Sequence, residues 1–188
     1  MDKTEDKQKW KTLSSEYLIR RPWLTARRDE VQLPNGKINH EYYVLEYPDW
    51  VNVIAVTRDG CILIERQYRH ALDEVGFEIV AGVIEKGETP LEAAKRELME
   101  ETGYSGGTWQ QLMTISANPS TTNNLTHCFV ATDVEPTGTQ HLDETEYLQV
   151  TPIKEEEVFK MLVDGTFRQS LMIAPLWKYF YLKRGVGC

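Results

Sequence analysis

The sequence is short of cysteine, histidine and long apolar runs, and each shortage closes off a class of protein. Its three cysteines, Cys61, Cys128 and Cys188, are odd in number and far apart. They suit neither a disulfide framework nor a zinc pattern. The four histidines, His40, His70, His127 and His141, have no metal-ligand spacing and read as surface or core residues. No apolar run approaches the roughly 18–20 residues of a membrane helix. The opening segment MDKTEDKQKWK is charged throughout and lacks the apolar core of a signal peptide. A reducing cytoplasm is the expected location. Basic blocks are missing too, and the net charge is -8, which argues against a nucleic-acid duplex as partner. There is no internal repeat and no low-complexity segment.

What remains is a chain of 188 residues, 41% apolar and 27% charged, enough for one globular domain with a real core. An acidic protein that handles a phosphate ester needs a mediator, either local arginines or a divalent cation.

The first dozen residues read as a frayed leader. WLTARRDEVQLPNGKINHEYYVLEY has two strand-like stretches around Pro34-Asn35-Gly36, the signature of a β-hairpin. VNVIAVT, the turn RDG and CILIERQYR predict a second pair of strands, the first apolar on both faces as a central strand would be. GFEIVAGVIE predicts one strand ending near Gly82. Thr89, Pro90 and Glu92 then spell a capped helix start, and Gly103 a helix stop, placing a helix over Pro90–Thr102. Further strands are expected at Thr108–Ile115, His127–Thr132 and Tyr147–Pro152. KEEEVFKMLVDG predicts a helix stopped at Gly165. SLMIAPLWKYFYLKR predicts a last helix that Pro175 would kink or split. The mixture points to α+β, or a mixed sheet between helices. Residues 1–48 are expected to form N-terminal strands, and 49–188 a catalytic domain.

The helix at Pro90–Thr102 poses the central question. At about 100° per residue, Leu91, Ala94 and Leu98 make the face that packs on a sheet. Beside that face lie Glu97, Glu100 and Glu101. Glu97 and Glu101 stack four residues apart and repel, and desolvation next to the apolar seam worsens the repulsion. Arg96 can pair with Glu100 or Glu92 at helical spacing, as on any solvated acidic face. No lysine stands three or four residues from Glu97 or Glu101, so the helix's own basic residues are not expected to reach that pair. A hard divalent cation with oxygen ligands would resolve the conflict. Upstream, Gly82 and Gly87 permit tight turns and close approach, and the Ala81 carbonyl offers one more oxygen.

The pattern Gly82, five residues, Glu88, seven residues, Arg96-Glu97-Leu98, one residue, Glu100-Glu101, one residue, Gly103 resembles the signature of the Nudix hydrolases. Every fixed position matches; the usual aliphatic residue at the end is Tyr104 here. The resemblance implies an α+β Nudix fold, an α/β/α sandwich with a central mixed β-sheet, here with an added N-terminal β-hairpin region. It implies Mg²⁺ or Mn²⁺ held by Glu97 and Glu101, Glu88 assisting, Glu100 close by, and Arg96 orienting the glutamates through salt bridges. The implied reaction is hydrolysis of a nucleoside diphosphate linked to another group.

Three features outside this box resemble the ADP-ribose and nucleotide-sugar pyrophosphatases. RQYRH followed by GFEIVAG is close to their Q-[FY]-R and E-[LIV]-P-A-G segments, with Val80 in place of proline. This implies roles for Arg69 and Glu78 at the substrate. Pro119 stands 16 residues after Gly103, a position those enzymes mark with proline, although Ser120 replaces the glycine that usually follows. LDETEYLQV resembles their late acidic loop, which implies Glu144 as general base and Glu146 as a further metal ligand. In that group N-terminal strands of one subunit reach the other's site, implying a homodimer. Trp23 or Trp50 could stack on the base, and Arg27 and Arg28 contact phosphate or sugar, against the plain alternative of core packing and surface charge. The expected activity is metal-dependent cleavage of ADP-ribose or a related nucleoside diphosphate sugar into a nucleoside monophosphate and a sugar phosphate. Two alternatives stand beside it: a Nudix hydrolase of dinucleoside polyphosphates, coenzyme-type or oxidised nucleotides, or a sensor that binds a sugar nucleotide without cleaving it.

Overall fold

The fold was analysed in a computed structural model, which describes residues 6–185. The elements run β1 (Lys11–Arg21), β2 (Leu24–Gln32), β3 (Ile38–Glu46), β4 (Trp50–Thr57), β5 (Cys61–Arg69), β6 (Glu74–Glu78), β7 (Val80–Val83), α1 (Pro90–Thr102), β8 (Tyr104–Ile115), β9 (Thr126–Pro136), β10 (Leu148–Lys154), α2 (Glu155–Val163) and α3 (Ser170–Lys183). The described residues up to Tyr47 group with Asn118–Asn124 into one compact unit. Pro48–Ala117 and the residues from Leu125 onward form a second.

In the first unit, β2 and β3 form the expected hairpin, turning at Gly36 with φ 82°. The expectation of a leader through the first dozen residues is corrected: a third strand, β1, begins at Lys11 and pairs antiparallel with β2. It escaped detection because both of its faces carry mixed polar and apolar residues, so no period of two appears. The leader's first five residues lie outside the described residues. Segment 118–124 joins this unit through the Tyr42 hydroxyl, which donates to the Ser120 carbonyl at 2.8 Å, and a bridge between Leu45 and Thr122.

The second unit is built on a mixed sheet of order β10-β5-β4-β9-β8, with β6 added to β5 and β7 to β4. Only β4 and β9, among these pairings, run parallel. The doubly apolar β4 is a central strand, as its composition requires. Val51, Val53 and Ala55 face α1 with Ala93, Ala94 and Leu98, while Ile54 and Val56 face α2 and α3 with Val158, Leu162 and Leu176. Helices thus cover both faces of the sheet, the α/β/α layering anticipated from the resemblance. Where one strand was expected through GFEIVAGVIE, there are two: β6 pairs with β5 and β7 turns away to pair with β4, the break falling at the fully buried Ile79.

α1 spans the anticipated residues. The Thr89 side chain accepts from the Glu92 N–H, the Glu92 carboxylate accepts from the Thr89 N–H, and Gly103 closes the helix at φ 73°. α3 runs unsplit through Pro175, which is buried inside it. Pro175 has no N–H to give the Leu171 carbonyl one turn back. The Asn52 amide of β4 donates to that carbonyl instead, at 2.7 Å.

Candidate active site

The glutamate cluster is assembled where β7 meets α1. Three side chains and one backbone carbonyl of the Gly82–Gly103 segment converge on one guanidinium. Arg96 donates from Nε to Glu88 Oε1 at 2.8 Å, and from Nη2 to Glu88 Oε2 at 3.0 Å and to the Val83 carbonyl at 2.8 Å. Its Nη1 donates to Glu97 Oε1 and to Glu100 Oε2, both at 2.9 Å. Every one of the five guanidinium donors has an acceptor. The expectation that no basic residue of the helix reaches Glu97 is therefore corrected: a long side chain folded along the helix spans neighbours that helical spacing alone keeps apart. Gly82 leaves the space that Glu97 occupies. A Cβ there would lie 2.0 Å from the Glu97 carboxyl carbon.

Glu101 is only 5% exposed, and its Oε2 accepts from the Ala81 N–H at 3.2 Å. Burial raises the pKa of both Glu97 and Glu101, and for Glu101 the neighbouring Glu65 and Glu97 charges raise it further. Arg96 opposes the rise at Glu97, and the Ala81 N–H opposes it at Glu101. Glu88, tied to Arg96, is instead held below the usual carboxylate range.

The late acidic loop hangs from the end of α1. The His141 N–H donates to the Glu100 carbonyl and the Gln140 side chain to the Glu101 carbonyl, each at 2.7 Å. Beyond them, the Glu146 N–H closes a turn onto the Asp143 carbonyl at 2.9 Å. The Glu146 charge acts on Glu65, Glu97 and Glu101 alike, raising all three. Glu144 stands exposed in the same turn.

Arg69 holds Glu78 in a two-pronged pair, Nε to Oε1 at 2.7 Å and Nη2 to Oε2 at 2.6 Å. Both border a cleft of about 240 Å³ lined also by Leu72, Phe77, Arg168 and Gln169. Trp50 opens β4, opposite Val83 of β7. Trp23, Arg27, Arg28 and Pro119 belong to the other unit. There Trp23 is 84% exposed, Arg27 pairs with Asp29 and Glu46, and Arg28 with Glu16 and Glu41.

Sequence reasoning missed Glu65. It sits in β5 between Glu78 of β6 and Val150 of β10, is 3% exposed, and meets the Glu101 carboxyl; burial first, then the Glu78 charge, raises its pKa. In CILIERQYR it reads as the polar end of an apolar strand. Strands on both sides of β5 at that level keep it covered, and that is a tertiary fact.

The donor set is made of carboxylate oxygens, the chemistry of a hard divalent cation. Buried like charges with one guanidinium among them gain from such a cation, so the residues fit one. Among the described residues no three acidic, histidine or cysteine side chains are gathered tightly enough to enclose an ion, since Arg96 draws Glu97 and Glu100 to itself.

A mixed sheet between helices with this arginine-clamped glutamate helix defines a Nudix hydrolase. The family model for the NUDIX domain matches residues 46–169, and that for the nucleoside diphosphate sugar hydrolase N-terminal domain matches residues 10–45. The chain belongs to the Nudix family, whose members generally need a divalent metal. It is 32% identical over 177 residues to the ADP-ribose pyrophosphatase of Bacillus subtilis (strain 168), covering 94% of this chain and 95% of that protein. It is 31% identical over 177 residues, with the same coverage, to the methanol dehydrogenase activator of Bacillus methanolicus. A crystal structure of an ADP compounds hydrolase shares the fold with a TM-score of 0.81 at 24% identity, covering 95% of this chain and 97% of that one.

Proposed function

We propose that this Nudix hydrolase cleaves the diphosphate of ADP-ribose or a related nucleoside diphosphate sugar, in a Mg²⁺- or Mn²⁺-dependent reaction. The observation that supports it most is the Arg96 clamp, which holds Glu88, Glu97 and Glu100 beside buried Glu101. Similarity to an ADP-ribose pyrophosphatase along nearly the whole chain supports the substrate class.

Glu97 and Glu101 hold the cation, with the Ala81 carbonyl, Glu88 and Glu146 as further oxygens. A cation held there would supply charge neutralisation at the diphosphate and a more acidic water. Glu144, free of the buried cluster, takes the proton of the attacking water. Water oxygen bonds to one phosphorus as the bridging P–O bond breaks, and the other phosphate leaves with the electron pair. Arg69, fixed by Glu78, offers its remaining charge to a phosphate. Trp50, at the start of β4, is assigned to the base. For Arg27 and Arg28 the acids that engage them weigh against a substrate role, and Trp23 and Pro119 keep only the support of the resemblance.

The exposed apolar side chains Leu13, Leu18, Ile19 and Leu24 of the three-stranded sheet, with Trp10 and Trp23 just outside its strands, support a homodimer that covers them. No described helix is long and apolar enough to cross a membrane. Cys61 and Cys128 are buried and free, which supports a reducing cytoplasm; Cys188 lies outside the described residues.

The test is product analysis over a panel of nucleoside diphosphate sugars with Mg²⁺, with dinucleoside polyphosphates alongside. AMP and ribose 5-phosphate from ADP-ribose are expected. Release of no product from any sugar nucleotide would sink the proposal. Light scattering of the purified protein tests the dimer, and a monomer at micromolar concentration would remove it.

A further inference from the structure

Glu65 is placed where the packing calls for an apolar residue. Leu63, two residues earlier on the same face of β5, is fully buried in the layer beneath α1, and Val150 beside Glu65 packs against that layer. Glu65 is covered on both edges by β6 and β10 and is 3% exposed. Its Oε1 is buried without a hydrogen-bond partner. A buried carboxylate oxygen left unpaired costs on the order of several kcal/mol.

Arg69 acts on Glu65 through its charge and gives its hydrogen bonds elsewhere. Arg69 gives Nε and Nη2 to Glu78. Arg96 spends all five donors on Glu88, Glu97, Glu100 and the Val83 carbonyl. What Glu65 meets is another acid, Glu101, with the Glu146 charge in range of both. Two carboxylates, from β5 and α1, therefore meet in one buried volume, with the Glu146 charge acting on both, and one of them carries an orphaned oxygen.

We propose that Glu65 is a ligand for a divalent cation that it shares with Glu101. The inference rests on the preceding reading of Glu97 and Glu101 as metal-holding residues and adds a ligand from outside the Gly82–Gly103 segment. Its consequence is a cation seated deeper toward the sheet, anchored by a strand as well as by the helix. Such an anchor fixes the cation against a rigid element rather than a rotatable helix side chain alone.

The experiment is a Mn²⁺ titration of the full-length protein, with free Mn²⁺ followed by electron paramagnetic resonance, near neutral pH and without substrate. Wild type, Glu65→Gln and Glu97→Gln are compared, and the melting temperature of each is taken without metal. Glu65→Gln keeps the shape and removes the charge. It is expected to weaken Mn²⁺ binding by about ten-fold or more and to raise the metal-free melting temperature. Unchanged Mn²⁺ affinity in Glu65→Gln, with weakened binding in Glu97→Gln, overturns this inference alone. No Mn²⁺ binding by wild type, or unchanged affinity in both variants, overturns the underlying reading as well. Glu65→Val, which suits a buried strand, guards against misfolding: a folded valine variant with wild-type Mn²⁺ affinity overturns the proposal equally.

Discussion

Gly82 and Glu97 share one space. A Cβ on Gly82 would stand 2.0 Å from the Glu97 carboxyl carbon and 2.1 Å from its Oε1. The glycine is required for room and not for a left-handed backbone, since its φ is not positive. Gly82→Ala should therefore fold, because the displaced atoms are the end of a flexible side chain. It should still lower turnover by about ten-fold or more and raise the Mg²⁺ concentration for half-maximal rate. Steady-state kinetics against Mg²⁺ checks this; wild-type values would show that the position of Glu97 is immaterial.

Arg96→Lys tests the clamp. Lysine keeps the charge but has three donors and no planar fork. Glu88, Glu97 and Glu100 then compete for one ammonium, and the Val83 carbonyl loses its partner. A stability loss of about 1–3 kcal/mol is expected, read by thermal or urea unfolding, together with a fall in kcat. Retention of both would mean that the five bonds are incidental.

The buried acids give the metal-free protein a pH signature. Glu65, Glu97 and Glu101 all have folded-state pKa values raised above 4.5, with burial the first cause. A raised carboxyl pKa favours folding while the group is protonated. That contribution is complete below the unfolded value and is lost as pH climbs toward the folded one. The melting temperature without metal should fall as pH rises from about 4.5 to 8, and Mg²⁺ should flatten the slope. A flat metal-free profile over that range would contradict the burial of ionisable acids here.

Asn52 and Pro175 allow a double-mutant test. Asn52→Ala should cost about 1–3 kcal/mol by stranding the Leu171 carbonyl. In a Pro175→Ala background the helix regains an N–H for that carbonyl, and the same Asn52 substitution should cost less. Equal costs in both backgrounds, measured by chemical unfolding, would show that the two sites are uncoupled.

The parts legible in the sequence were those governed by local rules. α1 was readable to the residue because Thr89, Glu92 and Gly103 act within one turn of the helix they bound. The β2–β3 hairpin was readable from its Pro-Asn-Gly turn. β1 was not, because its two faces are alike in composition. The break between β6 and β7 at Ile79 was not, because it depends on which strand each half pairs with. At the site, spacing located Glu97, Glu100 and Glu101, but the reach of Arg96 needed a side-chain conformation. Glu65 needed its neighbours on both edges, which no periodicity along β5 encodes.

Gln140 and His141 donate to the Glu101 and Glu100 carbonyls at the end of α1. From that anchorage to Leu148, the first residue of β10, the chain has six residues in which to present both Glu144 and Glu146. At roughly 3.3–3.6 Å per residue, such an arch is a leash of fixed length with both ends nailed down. The reach of Glu144 and Glu146 from the end of α1 is thus counted out in residues. One residue inserted or removed between His141 and Leu148 is expected to shift Glu144 and Glu146 relative to the end of α1, without altering a single charge.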